Sequence, residues 1–175
     1  MDDVNPSPGI FLETTRLVLR PQQASDEAAL IKLWTDPQAM LYMGGPRHEA
    51  LIRSEFAGVT RQPLAQRYDL WPVIEKATGR VVGHCGLLDK EVDGANEIEL
   101  VYVIDPAAWG RGYASEIGQA LIEYAFAALG LKRLIALIEP ENSASMRVAI
   151  KLGMALEKEV VRPSGALRKV YVIEA

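Results

Sequence analysis

Cysteine is nearly absent from this 175-residue chain, which has one, Cys85. A single thiol excludes an internal disulfide, and with only two histidines, His48 and His84, no zinc-type ligand spacing exists. Positive charge is also in deficit, with 19 Lys and Arg against 23 Asp and Glu, so no general basic field argues for nucleic acid. No apolar run approaches the roughly 20 residues of a membrane span, and the acidic start, Asp2-Asp3, is unlike a signal peptide. A P-loop would need Gly-Lys-Ser/Thr, which occurs nowhere. Internal repeats and low-complexity tracts are missing too. What remains is ordinary for a globular chain, 49% hydrophobic and 24% charged, and long enough to bury a real core. The expectation is a flexible tail over residues 1–10, where Pro6, Pro8 and Gly9 lie, then a single domain over residues 11–175, in a reducing cytoplasm.

The chain is organised around Glu97 to Ser115, EIELVYVIDPAAWGRGYAS. The β-branched run Ile98 to Ile104 reads as a buried strand, stopped by Asp105-Pro106. Gly110-Arg111-Gly112 leads into a helical pattern that runs to about Leu129, with Gly130 as its stop. Strand, loop, glycines and helix N-terminus together make an anion cradle: unpaired N–H groups and the helix dipole face outward, glycine permits close approach, and Arg111 adds positive charge. The plainer reading of the same residues is a turn that only starts a helix.

Elsewhere, Glu13 to Arg20 alternates as a half-buried strand, and Ser25-Asp26 is placed to cap a helix through Trp34. Met40 to Pro46 reads as a mobile turn and His48 to Arg61 as a second amphipathic helix. Tyr68 to Glu75 and Val81 to Leu88 read as a hairpin. His84 and Cys85, adjacent in its second strand, face opposite ways and cannot act as a pair; a packed thiol and a hydrogen-bonded imidazole are the expectation. Leu134 to Ile138 is a buried strand able to lie parallel to Ile98–Ile104 through the helical crossover. A helix over Ser143 to Leu152 and a closing hairpin, Leu156 to Val161 with Leu167 to Ile173, complete the pattern. The fold class is α+β (mixed α/β): a central, mostly antiparallel mixed sheet with one parallel, splayed strand pair and helices on both faces.

Trp109-Gly110-Arg111-Gly112-Tyr113-Ala114 resembles the pyrophosphate-binding motif of the GNAT acyl-CoA N-acyltransferases, Gln/Arg-x-x-Gly-x-Gly/Ala, in the Trp-Gly-Lys/Arg-Gly-Tyr-Ala form of the RimJ/RimL-like branch, which acetylates ribosomal-protein N-termini. Leu12 to Arg20 (LETTRLVLR) resembles that branch's opening strand, and Asn142 to Met154 (NSASMRVAIKLGM) its Asn-x-x-Ser…Lys-Leu-Gly-Phe segment. The resemblance implies a GNAT-like fold and acetyl-CoA as acyl-donor cosubstrate, with no metal. It implies cofactor contacts at Tyr102, Val103, Ile104, Gly110, Arg111, Gly112, Tyr113, Ala114 and Asn142. An extended pantetheine arm could pair with strand Ile98–Ile104, its pyrophosphate on the turn.

Acyl transfer needs a neutral amine and an exit for the thiolate. The family's strand glutamate corresponds to Glu99, the candidate base; Glu97 shares its face if the strand is regular. Many GNAT enzymes carry a tyrosine acid where this chain has Ala149, and in the RimJ/RimL-like branch a serine matches Ser145, the candidate acid. In the family the two early helices wall the acceptor groove, so Trp34, Tyr42 and Met43 are candidate substrate contacts, with core packing as the competing role. The activity implied is direct acetyl transfer to a primary amine, with a protein or peptide N-terminal α-amine as acceptor. Alternatives are a small-molecule amine acceptor, or a module that binds acyl-CoA without turnover. The remaining expectations are no membrane, no direct nucleic acid, and room for a homodimer.

Overall fold

The computed structural model of the protein describes residues 11–59 and 68–175. Eight strands form one sheet in the order β1-β2-β3-β4-β5-β6-β8-β7. The expected single strand at Glu13–Arg20 is instead a tight hairpin of β1 (Leu12–Glu13) and β2 (Leu17–Leu19), with Leu12 opposite Leu19. The cause is Thr14, whose hydroxyl accepts the Leu17 N–H at 3.0 Å and so bends the chain locally. Arg16 is thereby carried to the tip of the turn. Asp26 takes the expected N-cap position of helix α1 (Glu27–Thr35), but its carboxylate makes no cap bond to the helix and instead accepts both guanidinium arms of Arg20 (2.7 and 2.9 Å) and the Gln23 N–H.

Two compact units are distinguishable within the chain. Among the described residues the first comprises 11–59, Trp71–Cys85 and Val103–Tyr113. In it α1 buries Leu30, Ile31, Leu33 and Trp34, and α2 (Glu49–Val59) buries Ile52 and Phe56. Arg53 of α2 reaches Glu27 of α1 (2.8 Å) and Glu49 one turn back on its own helix (2.7 Å), exposed pairs that contribute little. In β3 (Leu70–Glu75), residues Val73 to Glu75 pair with β2, and Pro72 falls just beyond that ladder.

The second unit comprises Tyr68–Leu70, Gly86–Tyr102 and Ala114–Ala175. Strands β4 (Val81–Val92) and β5 (Ala95–Ile104) are joined through Asp93 and Gly94, whose positive φ values (51° and 78°) suit a two-residue hairpin. Helix α3 (Tyr113–Glu123) relaxes into a π turn at Tyr124–Ala128 and leads to β6 (Arg133–Ile138), which runs parallel to β5 with Glu99 opposite Ile135. Beyond helix α4 (Ser143–Lys151), strands β7 (Ala155–Val161) and β8 (Leu167–Glu174) pair antiparallel. A register shift between Leu156 and Lys158 frees Glu157 to reach Arg133 at 2.8 Å. Ile135, Val160, Val170 and Val92 form a core cluster here. No described helix is long and apolar enough to cross a membrane.

Gly83 marks a close approach of two strands. A Cβ there would lie 2.7 Å from the Val103 carbonyl oxygen and 2.9 Å from Ile104 Cδ1. Backbone cannot yield as a flexible side chain would, so Gly83→Ala is expected to destabilise the protein by about 1–3 kcal/mol. A denaturation midpoint unchanged from wild type would show that β4 and β5 part without cost.

Candidate active site

The turn that the sequence singled out is built as follows. Strand β5 ends at Ile104, and Asp105 accepts the Ala107 N–H at 2.9 Å to start a single 3-10 turn, Pro106–Ala108. The exposed Trp109 indole donates to the Ile104 carbonyl at 2.8 Å, pinning the chain as it leaves the strand. Gly110 (φ 74°) and Gly112 (φ 79°) then take left-handed conformations before α3 begins at Tyr113. A Cβ at Gly110 would meet nothing within 4 Å, and one at Gly112 only Arg16 Nη2 at 3.6 Å. The glycines are therefore required by backbone conformation, and the space above them is open to a ligand. The first-turn N–H groups of α3, Tyr113 and Ala114 foremost, are those an anion would meet.

A cluster absent from the sequence reading holds this turn. Glu75, at the end of β3, is buried, yet it accepts hydrogen bonds from the Tyr113 hydroxyl and from Thr78 Oγ1 (2.6 Å), and it pairs with Arg111 Nη2 at 2.6 Å. The Thr78 and Tyr113 hydrogen bonds, with Arg111 beside them, hold the Glu75 carboxyl below the usual carboxylate range. Accepting from Tyr113 also pushes the phenol pKa up. The Tyr113 ring lies between the guanidinium groups of Arg16 and Arg111, each 4.7 Å from its centroid. Arg16 also donates to the Arg111 carbonyl at 2.9 Å. Arg111 thus spends its charge on Glu75. Tyr113 presents its backbone to a ligand, because its side chain is sealed in.

In the second unit, Glu99 has a side chain 13% exposed, with Lys90 Nζ at 3.6 Å. Burial pushes its pKa up; Lys90 and a backbone N–H bond from Leu137 oppose the shift. Glu97 has a different fate, held by Arg133 at 3.1 Å, which Glu157 also grips. Ser145 stands in the first turn of α4, its N–H donating to Asn142 Oδ1 at 3.0 Å. That bond makes Asn142 a helix cap. Tyr102 Oη lies 2.9 Å from Ser145 Oγ and 3.1 Å from the Ser145 carbonyl. Ala149, at the position of the family's tyrosine acid, is fully buried. The Val103 and Ile104 carbonyls are met by Cys85 Sγ (3.9 Å) and Trp109 Nε1, so strand β5 does not present its whole backbone free.

The residues expected at the acceptor separate. Trp34 is buried, donates Nε1–H to His84 Nδ1 at 3.0 Å, and carries the Arg47 guanidinium 4.4 Å above its ring. Accepting at Nδ1 places the His84 proton on Nε2. Phe56 packs edge-on to the same imidazole. Tyr42 is half-buried and Met43 exposed. The segment expected as a turn is one, and it is internally bonded: Met43 and Gly45 both donate to the Met40 carbonyl, and Met40 is fully buried.

Residues 16–155 match the acetyltransferase (GNAT) domain family. The chain is 32% identical over 168 residues to the uncharacterized N-acetyltransferase p20 of Bacillus licheniformis, covering 92% of this chain and 93% of that one. The spermidine N(1)-acetyltransferase of Escherichia coli K12 is 24% identical over 153 residues, or 82% of this chain and 75% of that one. Among solved structures, a GNAT-family acetyltransferase from Bacillus anthracis superposes with a TM-score of 0.78 at 27% identity, covering 94% of this chain and 98% of that one. The chain belongs to the GNAT family, its mixed sheet with one parallel pair is the GNAT fold, and it is an N-acetyltransferase. Acetyl-CoA is the family's acyl donor.

The positive φ at Gly112 and the open space above it give a direct test. Gly112→Val forces a β-branched residue into a left-handed conformation and fills the approach to the turn, so CoA affinity measured by calorimetry is expected to fall at least about tenfold, or 1.4 kcal/mol. Unchanged affinity would remove the turn from the binding site.

Proposed function

We propose that the protein transfers an acetyl group directly from acetyl-CoA to a primary amine, with a protein or peptide N-terminal α-amine as acceptor. Pyrophosphate binds on the Gly110–Ala114 turn, Glu99 is the general base, and Ser145 steadies the departing thiolate. The observation that carries this reading is Glu99: a half-buried carboxylate whose pKa is raised by burial, on the strand that leads into the turn. A base of raised pKa takes a proton more readily from an attacking amine near neutral pH. The left-handed glycines of the turn and the N–H groups opening α3 support pyrophosphate binding there.

The acceptor follows from the modesty of the catalytic groups. An α-amine, with pKa about 7.7 to 8.0, is partly neutral at pH 7, whereas a lysine at about 10.4 needs a far stronger base. The described carboxylates discussed above are engaged by cations: Glu75 by Arg111, Glu97 by Arg133, Glu99 by Lys90. A polyamine would want several unengaged carboxylates. The spermidine-acetylating relative nonetheless makes a polyamine the second reading.

A thiol-release assay decides between them. Short peptides with free N-termini are expected to exceed N-blocked, lysine-containing peptides by at least about tenfold in kcat/KM, a difference in keeping with the amines' ionisation. Equal rates, or turnover confined to spermidine, would overturn the acceptor assignment. Glu99→Gln should lower kcat by about 10²- to 10⁴-fold while sparing CoA affinity. In the wild type, activity should be lost as pH falls through the Glu99 pKa, on an acid limb lying above the ordinary carboxylate value; the Gln variant should lack that limb. A variant with full turnover at pH 7 would move the role of base elsewhere.

A further inference from the structure

The tyrosine acid common in this family is replaced here by a buried alanine, Ala149, which leaves the serine at position 145 to meet the sulfur unaided by that ring. A lone serine hydroxyl is a rotor whose hydrogen points wherever the nearest acceptor lies. In this protein the rotor is not left to chance. The Ser145 N–H is fixed on Asn142 Oδ1 at 3.0 Å, and a phenol from another element, Tyr102 of β5, meets both its Oγ (2.9 Å) and its carbonyl oxygen (3.1 Å). We propose that Tyr102 is a positioning residue for thiolate departure, its O–H donating to Ser145 Oγ so that the serine's own hydrogen turns toward the sulfur of CoA. This deepens the acetyltransferase reading above and rests on it.

Two arrangements of the same three atoms are open. When Tyr102 donates to the Ser145 carbonyl, the Ser145 hydrogen is drawn back onto the phenol oxygen; when Tyr102 donates to Oγ, that hydrogen is released outward. Developing charge on sulfur favours the second arrangement, so the pair responds to the transition state more than to the ground state. The reaction balances without a proton leaving Ser145. The neutral amine attacks the thioester carbonyl, a C–N bond forms, and its surplus proton passes to Glu99. Collapse breaks the C–S bond, the electron pair leaves with sulfur as thiolate, and Glu99 returns its proton to water. A thiol of pKa near 8.5 leaves without needing full protonation, so a directed hydrogen bond suffices.

The test titrates the thiol of bound CoA by its ultraviolet thiolate absorbance, which requires no acceptor, and adds steady-state kinetics with acetyl-CoA and a free-N-terminal peptide. In the wild type the bound thiol should ionise at lower pH than free CoA. Tyr102→Phe, which keeps the ring, should raise the bound thiol pKa by roughly half to one unit and lower kcat about two- to twelvefold, the range for one hydrogen bond, with KM for acetyl-CoA unchanged. In a Ser145→Ala background the same change should add nothing. Equal losses in both backgrounds, or a loss confined to KM, would make Tyr102 a packing residue and overturn the proposal. Should Tyr102→Phe not fold, Ser145→Ala alone must raise the bound thiol pKa, and an unmoved value overturns it. Bound CoA with an unshifted thiol in the wild type overturns this proposal alone; failure of the wild type to bind CoA overturns the acetyltransferase reading and this proposal together.

Discussion

A carboxylate taken out of water must be met by donors, and Glu75 gathers its donors from the loop that follows its own strand and from the glycine turn. Thr78, Tyr113 and Arg111 all converge on it, so the turn is held from below by a single buried charge. Much else follows from that one anchor. With its hydroxyl on Glu75, the Tyr113 ring cannot turn outward, and two guanidinium groups stack against it. Arg16 also donates to the Arg111 carbonyl, so the packing of the turn depends on a hairpin far away in sequence.

The outline of the fold was legible in the sequence because periodicity and punctuation agreed. Asp105-Pro106 does end the central strand, Gly130 does end its helix, and Leu134 to Ile138 is a buried strand beside β5. The misreadings were local. Thr14 bends what looked like one strand, because a hydroxyl that accepts a backbone N–H is invisible in an alternating pattern. Asp26 looked like a cap by position, but Arg20 claims its carboxylate. Met40 to Pro46 looked mobile because its glycines are conspicuous, while the burial of Met40 cannot be read from composition.

The site was legible where backbone geometry makes it and opaque where side chains meet across long stretches of chain. Gly110 and Gly112 announce their left-handed turn by residue type, and Glu99 is a proposed base because of its place on an apolar strand. The contacts of Glu75 with Arg111 and of Tyr102 with Ser145 join residues 36 and 43 positions apart, and single-sequence reasoning has no access to such pairs. One signal was present for Glu75: an acid closing the apolar strand Leu70–Glu75 calls for a partner. Glu97 and Glu99 were separable only through their partners: Arg133 holds Glu97 at 3.1 Å, whereas Glu99 is half-buried with Lys90 at 3.6 Å.

The lone thiol has a consequence of its own. Cys85 is fully buried, bonded to the Val103 carbonyl, and burial pushes its pKa up to about 12. A thiol that neither ionises nor meets solvent cannot accept the acetyl group from a thioester, so the chain has no sulfur nucleophile for a two-stage, acyl-enzyme route. A protein handling thiol chemistry thus holds its own sulfur apart from it, buried out of reach of its acyl-donor cosubstrate.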